Sequence, residues 1–168
     1  ILGAAADQGA SLDDLEALAE KALPKLKTIA VALSAATVPE VGKPGFELAD
    51  DEIEYGVGIH SEPGYRREKI KPAKDLATEL LGKIDQELNL TSRKKYALLV
   101  NGMGATPLME QYIFSHNVLD LLAQKQIKPA FIKVGNYMTS LDMAGISLTI
   151  LELTDEKWLN YLNYPVET

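Results

Sequence analysis

The chain has 168 residues, 17 Lys and Arg against 24 Asp and Glu, and a formal net charge of −7. That length suits one domain of ordinary size or two small ones. The acidic balance argues against a surface built for phosphate backbones or anionic lipid, so neither a nucleic-acid nor a membrane partner is expected.

Cysteine is absent, which excludes disulfides, thiolate catalysis and Cys-ligated zinc together. Two histidines, His60 and His116, leave almost no room for a His-rich metal site, and no metal ligands are assigned. No apolar run approaches the roughly 20 residues of a membrane span. The start lacks a basic-then-apolar secretory pattern, so the cytoplasm is the expected compartment. The first residue is Ile1, and the run to Ala6 reads as the tail of a helix joined in mid-course. A piece of a longer protein is the expectation.

In chain order, Ser11 opens a helix as cap, with Asp14 at the fourth place of a capping box. Leu12, Leu15, Leu18, Ala19 and Leu23 form its stripe, and Pro24 closes it. Lys27–Ala35 reads as a strand apolar on both faces, hence covered on both sides. Thr37–Tyr55 is too long for a simple connection and is expected to be functional or to hold short irregular strands. Its acidic run, Asp50 to Glu54, reads as a solvated loop whose carboxylates alternate faces and cannot converge on one metal ion.

Val57 and Ile59 then alternate with glycine as in a strand, and Pro63-Gly64 ends it in a turn. This places His60 near a strand end. A basic run from Arg66 to Lys74 follows, read as a solvated loop or a contact for an acidic partner or phosphate. Asp75–Leu90 is helical, Lys95–Val100 a strand, and Thr106 caps a helix opened by Pro107 and running to about Gln126. Pro129–Tyr137 and Ile146–Leu153 are further strands, expected to pair as a hairpin across the turn Met138–Gly145. Thr154 caps a last helix, Asp155–Leu162. The expected fold is α/β, with helices packed on a mixed, largely parallel sheet.

Four segments could carry chemistry. His60, among Gly58, Ser61, Glu62, Pro63 and Gly64, reads as a base or nucleophile that a ligand can reach, against a satisfied histidine in a turn. Asn101–Thr106 lies between a strand and a helix N-terminus, where an anion could sit. It lacks the Lys-Ser/Thr of a Walker loop and reads better as a tight turn. The basic run is too short and aromatic-poor for nucleic acid. His116, inside a helix, reads as structural.

The blocks Val31–Pro39, Gly42–Asp50, Glu54–Gly64, Val100–Glu110 and Thr139–Gly145 resemble, in order and over most of the chain, the C-terminal part of the dihydroxyacetone kinase K subunit. The resemblance implies that residues 27–168 are the second α/β domain of that two-domain fold, and 1–26 a linking helical region. The family's N-terminal domain, which supplies further substrate contacts, has no counterpart in this sequence.

The resemblance also implies a mechanism. In the family the histidine at the position of His60 adds through a ring nitrogen to the carbonyl carbon of dihydroxyacetone. The hemiaminal is a covalent tether that selects a small ketone over glycerol. Phosphoryl transfer to an alcohol group would then use ADP or ATP with Mg held elsewhere, on a partner subunit or domain. The form favoured is a separate ADP-carrying L subunit fed by the phosphotransferase system, with the K subunit as a homodimer. No cofactor is expected in this chain, and the chain alone is expected to be inactive. The alternative is a K-subunit relative that senses dihydroxyacetone as a co-activator of transcription.

Overall fold

The computed structural model describes residues 1–60 and 62–165. Ser61 of the His60 segment, and residues 166–168 at the end of the expected second domain, lie outside the described residues. Two short helices, α1 (Leu2–Asp7) and α2 (Leu12–Ala22), precede strand β1 (Leu26–Ala32). Ser11 caps α2 and forms the expected capping box with Asp14. The long excursion after β1 holds two-residue strands β2 (Thr37–Val38) and β3 (Lys43–Pro44), then β4 (Glu52–Tyr55). After it come β5 (Arg66–Lys69), α3 (Ala73–Leu88), β6 (Tyr96–Gly102), α4 (Leu108–Gln124), β7 (Phe131–Gly135), β8 (Gly145–Glu152) and α5 (Glu156–Leu162).

The main sheet has six strands in the order β5-β4-β1-β8-β6-β7. The α/β class stands, but the expected parallel character does not. Only β6 and β7 pair in parallel; every other neighbouring pair is antiparallel. The strand–helix–strand pattern gave the directions correctly, since β1, β6 and β7 run the same way. It could not show that β8, the last strand, enters between β1 and β6 and opposes both. For the same reason β7 and β8 form no hairpin. Their connection crosses the end of β6, and Asn101 at that end ties it down: Oδ1 accepts the Tyr137 and Met138 N–H groups, and Nδ2 donates to the Met138 carbonyl.

Alternation along the strands divides the core. Val31, Ile53, Tyr55, Leu98, Val100, Leu148 and Ile150 face α3 and α4. On the opposite face, toward one end, Ala97 and Leu151 meet Trp158 of α5 and residues of the first two helices. Toward the other end Ala30 and Ala32 present only methyl groups, and there Ala36, Val57, Met103 and Met143 pack directly onto the strands with Phe46 and Ile59. The strand β1 is thus covered on both faces, as its composition implied. Its small residues let the loop after β4 lie close against the sheet.

Two further expectations change. Glu52–Tyr55 and Arg66–Lys69, parts of the acidic and basic runs read as loops, form the hairpin β4–β5, with Glu52 opposite Lys69 and Glu54 opposite Arg67. Asp51 pairs with Lys69 at 2.7 Å, and Glu54 with Arg67 at 2.8 Å. The helix caps also shift by one residue. Pro107 and Asp155, not Thr106 and Thr154, stand at the caps of α4 and α5.

Candidate functional site

His60 lies in the loop joining β4 to β5, five residues beyond the strand end. The expected strand through Val57 and Ile59 is absent, because Gly56 turns the chain with φ +79°, a conformation that glycine adopts freely. Val57 is buried and Ile59 half-buried against the alanine face of β1, so alternate residues anchor the loop and lift His60 outward. The far end is held by Glu54. This carboxylate is 5% exposed, accepts the Gly64 N–H at 2.8 Å and pairs with Arg67. The loop is therefore fixed at both ends while its tip, with the His60 side chain 80% exposed, faces solvent.

At the tip, among the described residues, the imidazole is partnered by Glu62. His60 Nδ1 lies 3.1 Å from Glu62 Oε1, and the backbone N–H of His60 donates to Glu62 Oε2 at 3.0 Å. These contacts and the carboxylate's own backbone N–H hold the Glu62 carboxyl below its usual range, its own N–H contributing most. The sequence reading noted Glu62 as a neighbour and gave it no role. Its spacing of two residues from His60, with a glycine four residues before it, was the available signal. Glu54 was missed altogether, because it was assigned to a solvated run.

The other three segments do not join this tip chemically. In Asn101–Thr106 two backbone donors are already used: Met103 N–H bonds the Gly145 carbonyl and Ala105 N–H the Met143 carbonyl. Thr106, 5% exposed, both donates to the Gly145 carbonyl and accepts the Gly145 N–H. The segment is a tight turn stitched to the start of β8. It touches the site indirectly, since Met103 shares the apolar cluster beneath Val57 and Ile59. Much of the basic run pairs within the fold: Arg67 with Glu54, Lys69 with Asp51, and Arg66 and Lys71 with Glu79 of α3. His116 stands on the solvent face of α4, 3.4 Å from Asp120 one turn on. Among the described residues no group of three His, Asp or Glu side chains comes together in a way that could hold a metal ion. Nor, among them, is any helix long and apolar enough to cross a membrane.

What the site can do follows from its one reactive group. A neutral imidazole with a free ring nitrogen, open to solvent on a loop anchored at both ends, can add to an electrophilic carbonyl carbon. Among the described residues the titratable group in contact with it is the Glu62 carboxylate.

The family model described as the Dak1 domain matches residues 1–168. A Lactococcus lactis protein named as the dihydroxyacetone-binding subunit of a phosphotransferase-system-dependent dihydroxyacetone kinase is 63% identical over 168 residues, all of this chain and 51% of the relative. The DhaKLM operon coactivator DhaQ of the same organism is 48% identical over 98% of this chain and 51% of its own length. A solved structure of a dihydroxyacetone kinase operon co-activator superposes with a TM-score of 0.91 at 47% identity, covering 98% of this chain and 51% of that one. The dihydroxyacetone kinase of C. freundii gives 0.82 at 26% identity, covering all of this chain and 30% of that one. The chain thus spans about half the length of the curated relatives it matches.

Proposed function

The chain belongs to the Dak1 domain family, and from that premise we propose that it is the substrate-tethering part of a dihydroxyacetone kinase K subunit. The observation that carries the reading is His60: one imidazole, on a loop anchored at both ends, with Nδ1 occupied by a carboxylate and the rest of the ring in solvent. Addition of its free nitrogen to the carbonyl of dihydroxyacetone forms a hemiaminal. The tether fixes the substrate, so that a terminal hydroxyl can be aimed at a phosphoryl donor. Glycerol offers no electrophilic carbon and is rejected.

The rest of the reaction belongs to other parts of the assembly. We propose that Mg and the nucleotide are held elsewhere in that assembly. A separate L subunit carrying ADP, recharged by the phosphotransferase system in the cytoplasm, is the partner we propose, with the K subunit working as a homodimer. The 63% identity to a subunit named for that system supports this choice. The chain by itself is then expected to bind dihydroxyacetone without turning it over.

One observation favours a second reading. The operon co-activators match this chain over nearly its whole length, with a TM-score of 0.91 for one of them. A sensor needs the same tether and no phosphoryl transfer, so His60 serves either role. Native mass spectrometry with dihydroxyacetone tests what the two share. The protein should gain the mass of one substrate, and His60→Ala should not. Equal gain in both would contradict the tether. A coupled kinase assay with an L subunit and phosphoryl donor then separates subunit from sensor.

A further inference from the structure

The Glu62 carboxylate is placed before the imidazole meets it. Its Oε2 accepts the backbone N–H of His60. Gly58 lies under it: a Cβ at that position would collide with Oε2 and crowd the carboxyl carbon. A residue with any side chain at 58 would evict the carboxylate, so glycine here is the seat of Glu62. With one oxygen fixed by the backbone, the other is left 3.1 Å from Nδ1 of the ring. An ionised carboxylate only accepts hydrogen bonds, so Nδ1 must carry the proton.

We infer that Glu62 is a positioning residue for His60: it holds the neutral ring as the Nδ1–H tautomer and leaves the Nε2 lone pair as the nucleophile. The inference rests on the tethering role proposed above. In the addition, the Nε2 lone pair forms the bond to the carbonyl carbon and the C=O π pair moves to oxygen. The oxygen takes a proton from water. The ring, now positively charged, returns its Nδ1 proton to water, and no net proton is consumed. Glu62 opposes the positive charge while it exists. The depressed carboxyl of Glu62 suits this task, since it stays ionised and does not keep the proton.

Replacement by glutamine makes a sharp test, because its orientation is dictated. The His60 N–H needs an acceptor, so the amide oxygen of Glu62→Gln must take Oε2's place. The amide NH2 then faces Nδ1 and forces it to accept, which moves the proton to Nε2 and removes the nucleophile. Two-bond 1H–15N correlation spectra of protein labelled with 15N-histidine read the tautomer directly, in mildly alkaline buffer and without substrate. The wild type should show His60 protonated on Nδ1, while His116 shows the Nε2–H form that free histidine favours in water. Glu62→Gln should move the His60 proton to Nε2 and lose the dihydroxyacetone adduct. Glu62→Ala should give a mixture and bind about two- to fivefold more weakly, the scale of an exposed charge-assisted contact.

The wild-type signal carries the test even if a variant misfolds. A wild-type His60 ring protonated on Nε2 overturns the inference, as does an Nδ1–H form that survives in both variants. A ring protonated on Nδ1 in a protein that forms no dihydroxyacetone adduct leaves the role of Glu62 in place and overturns the tether instead.

Discussion

The setting of His60 is built by its neighbours. The ring is mostly in solvent, and its orientation is set by a carboxylate two positions on and a glycine two positions back. Replacing His60 by alanine should abolish the preference for a ketone. The variant should bind dihydroxyacetone no better than glycerol, which isothermal titration with the two ligands would measure. A retained preference would place the tether elsewhere. Gly58→Ala should reproduce Glu62→Ala without touching either partner, because the new methyl displaces the carboxylate. The expected sign is a His60 tautomer that reverts toward Nε2–H in an otherwise unchanged amide spectrum. A wild-type tautomer in Gly58→Ala would mean that the seat is not needed.

At the scale of elements, the loop works because its neighbours are rigid. Thr106 bonds both main-chain groups of Gly145 and so locks the turn after β6 to the first residue of β8. Thr106→Val keeps the shape and takes the side-chain acceptor from the buried Gly145 N–H, while the Gly145 carbonyl keeps the Met103 N–H. A loss of about 1–3 kcal/mol is expected, read from urea denaturation, because an unsatisfied buried polar group carries its full desolvation cost. No change in the midpoint would show that other partners compensate. Much of this scale was legible in the sequence. The capping box at Ser11, the stripe of α3 and the two-sided apolar character of β1 follow from local pattern, and each is found. The hairpin β4–β5 was not legible. Its residues are charged, and only pairing across the strands shows that Glu54 opposes Arg67 and that Asp51 reaches Lys69. Charge complementarity between pairs 13 and 18 residues apart was the signal, and the two runs were read as separate solvated loops. The place of β8 between β1 and β6 was out of reach for a different reason. Strand direction follows from connections, whereas neighbour order is decided by which faces bury each other.

At the scale of the whole molecule, the fold holds a set of exposed carboxylates in the ionised form. Asp51 is held below its usual range chiefly by Lys69, Glu68 by Lys71, and Glu156 by Lys95. Asp14 and Asp155 are lowered by the Ser11 hydroxyl and the Lys157 N–H of their caps. Each binds a proton more readily unfolded than folded, so each contributes stability above the ordinary carboxylate range and loses it as pH falls. Melting temperature should hold near neutrality and drop from about pH 5 toward about pH 3. A flat profile over that window would contradict the assignment of these pairs. The family assignment rests on the full-length Dak1 match, and the proposed role on one nitrogen of one loop. The most direct measurement uses dihydroxyacetone labelled with 13C at its carbonyl and protein labelled with 15N-histidine. On binding, the carbonyl signal should move into the range of a tetrahedral carbon and show one-bond coupling to Nε2 of His60. A bound ligand that keeps its carbonyl signal, or couples to any other nitrogen, would contradict the account.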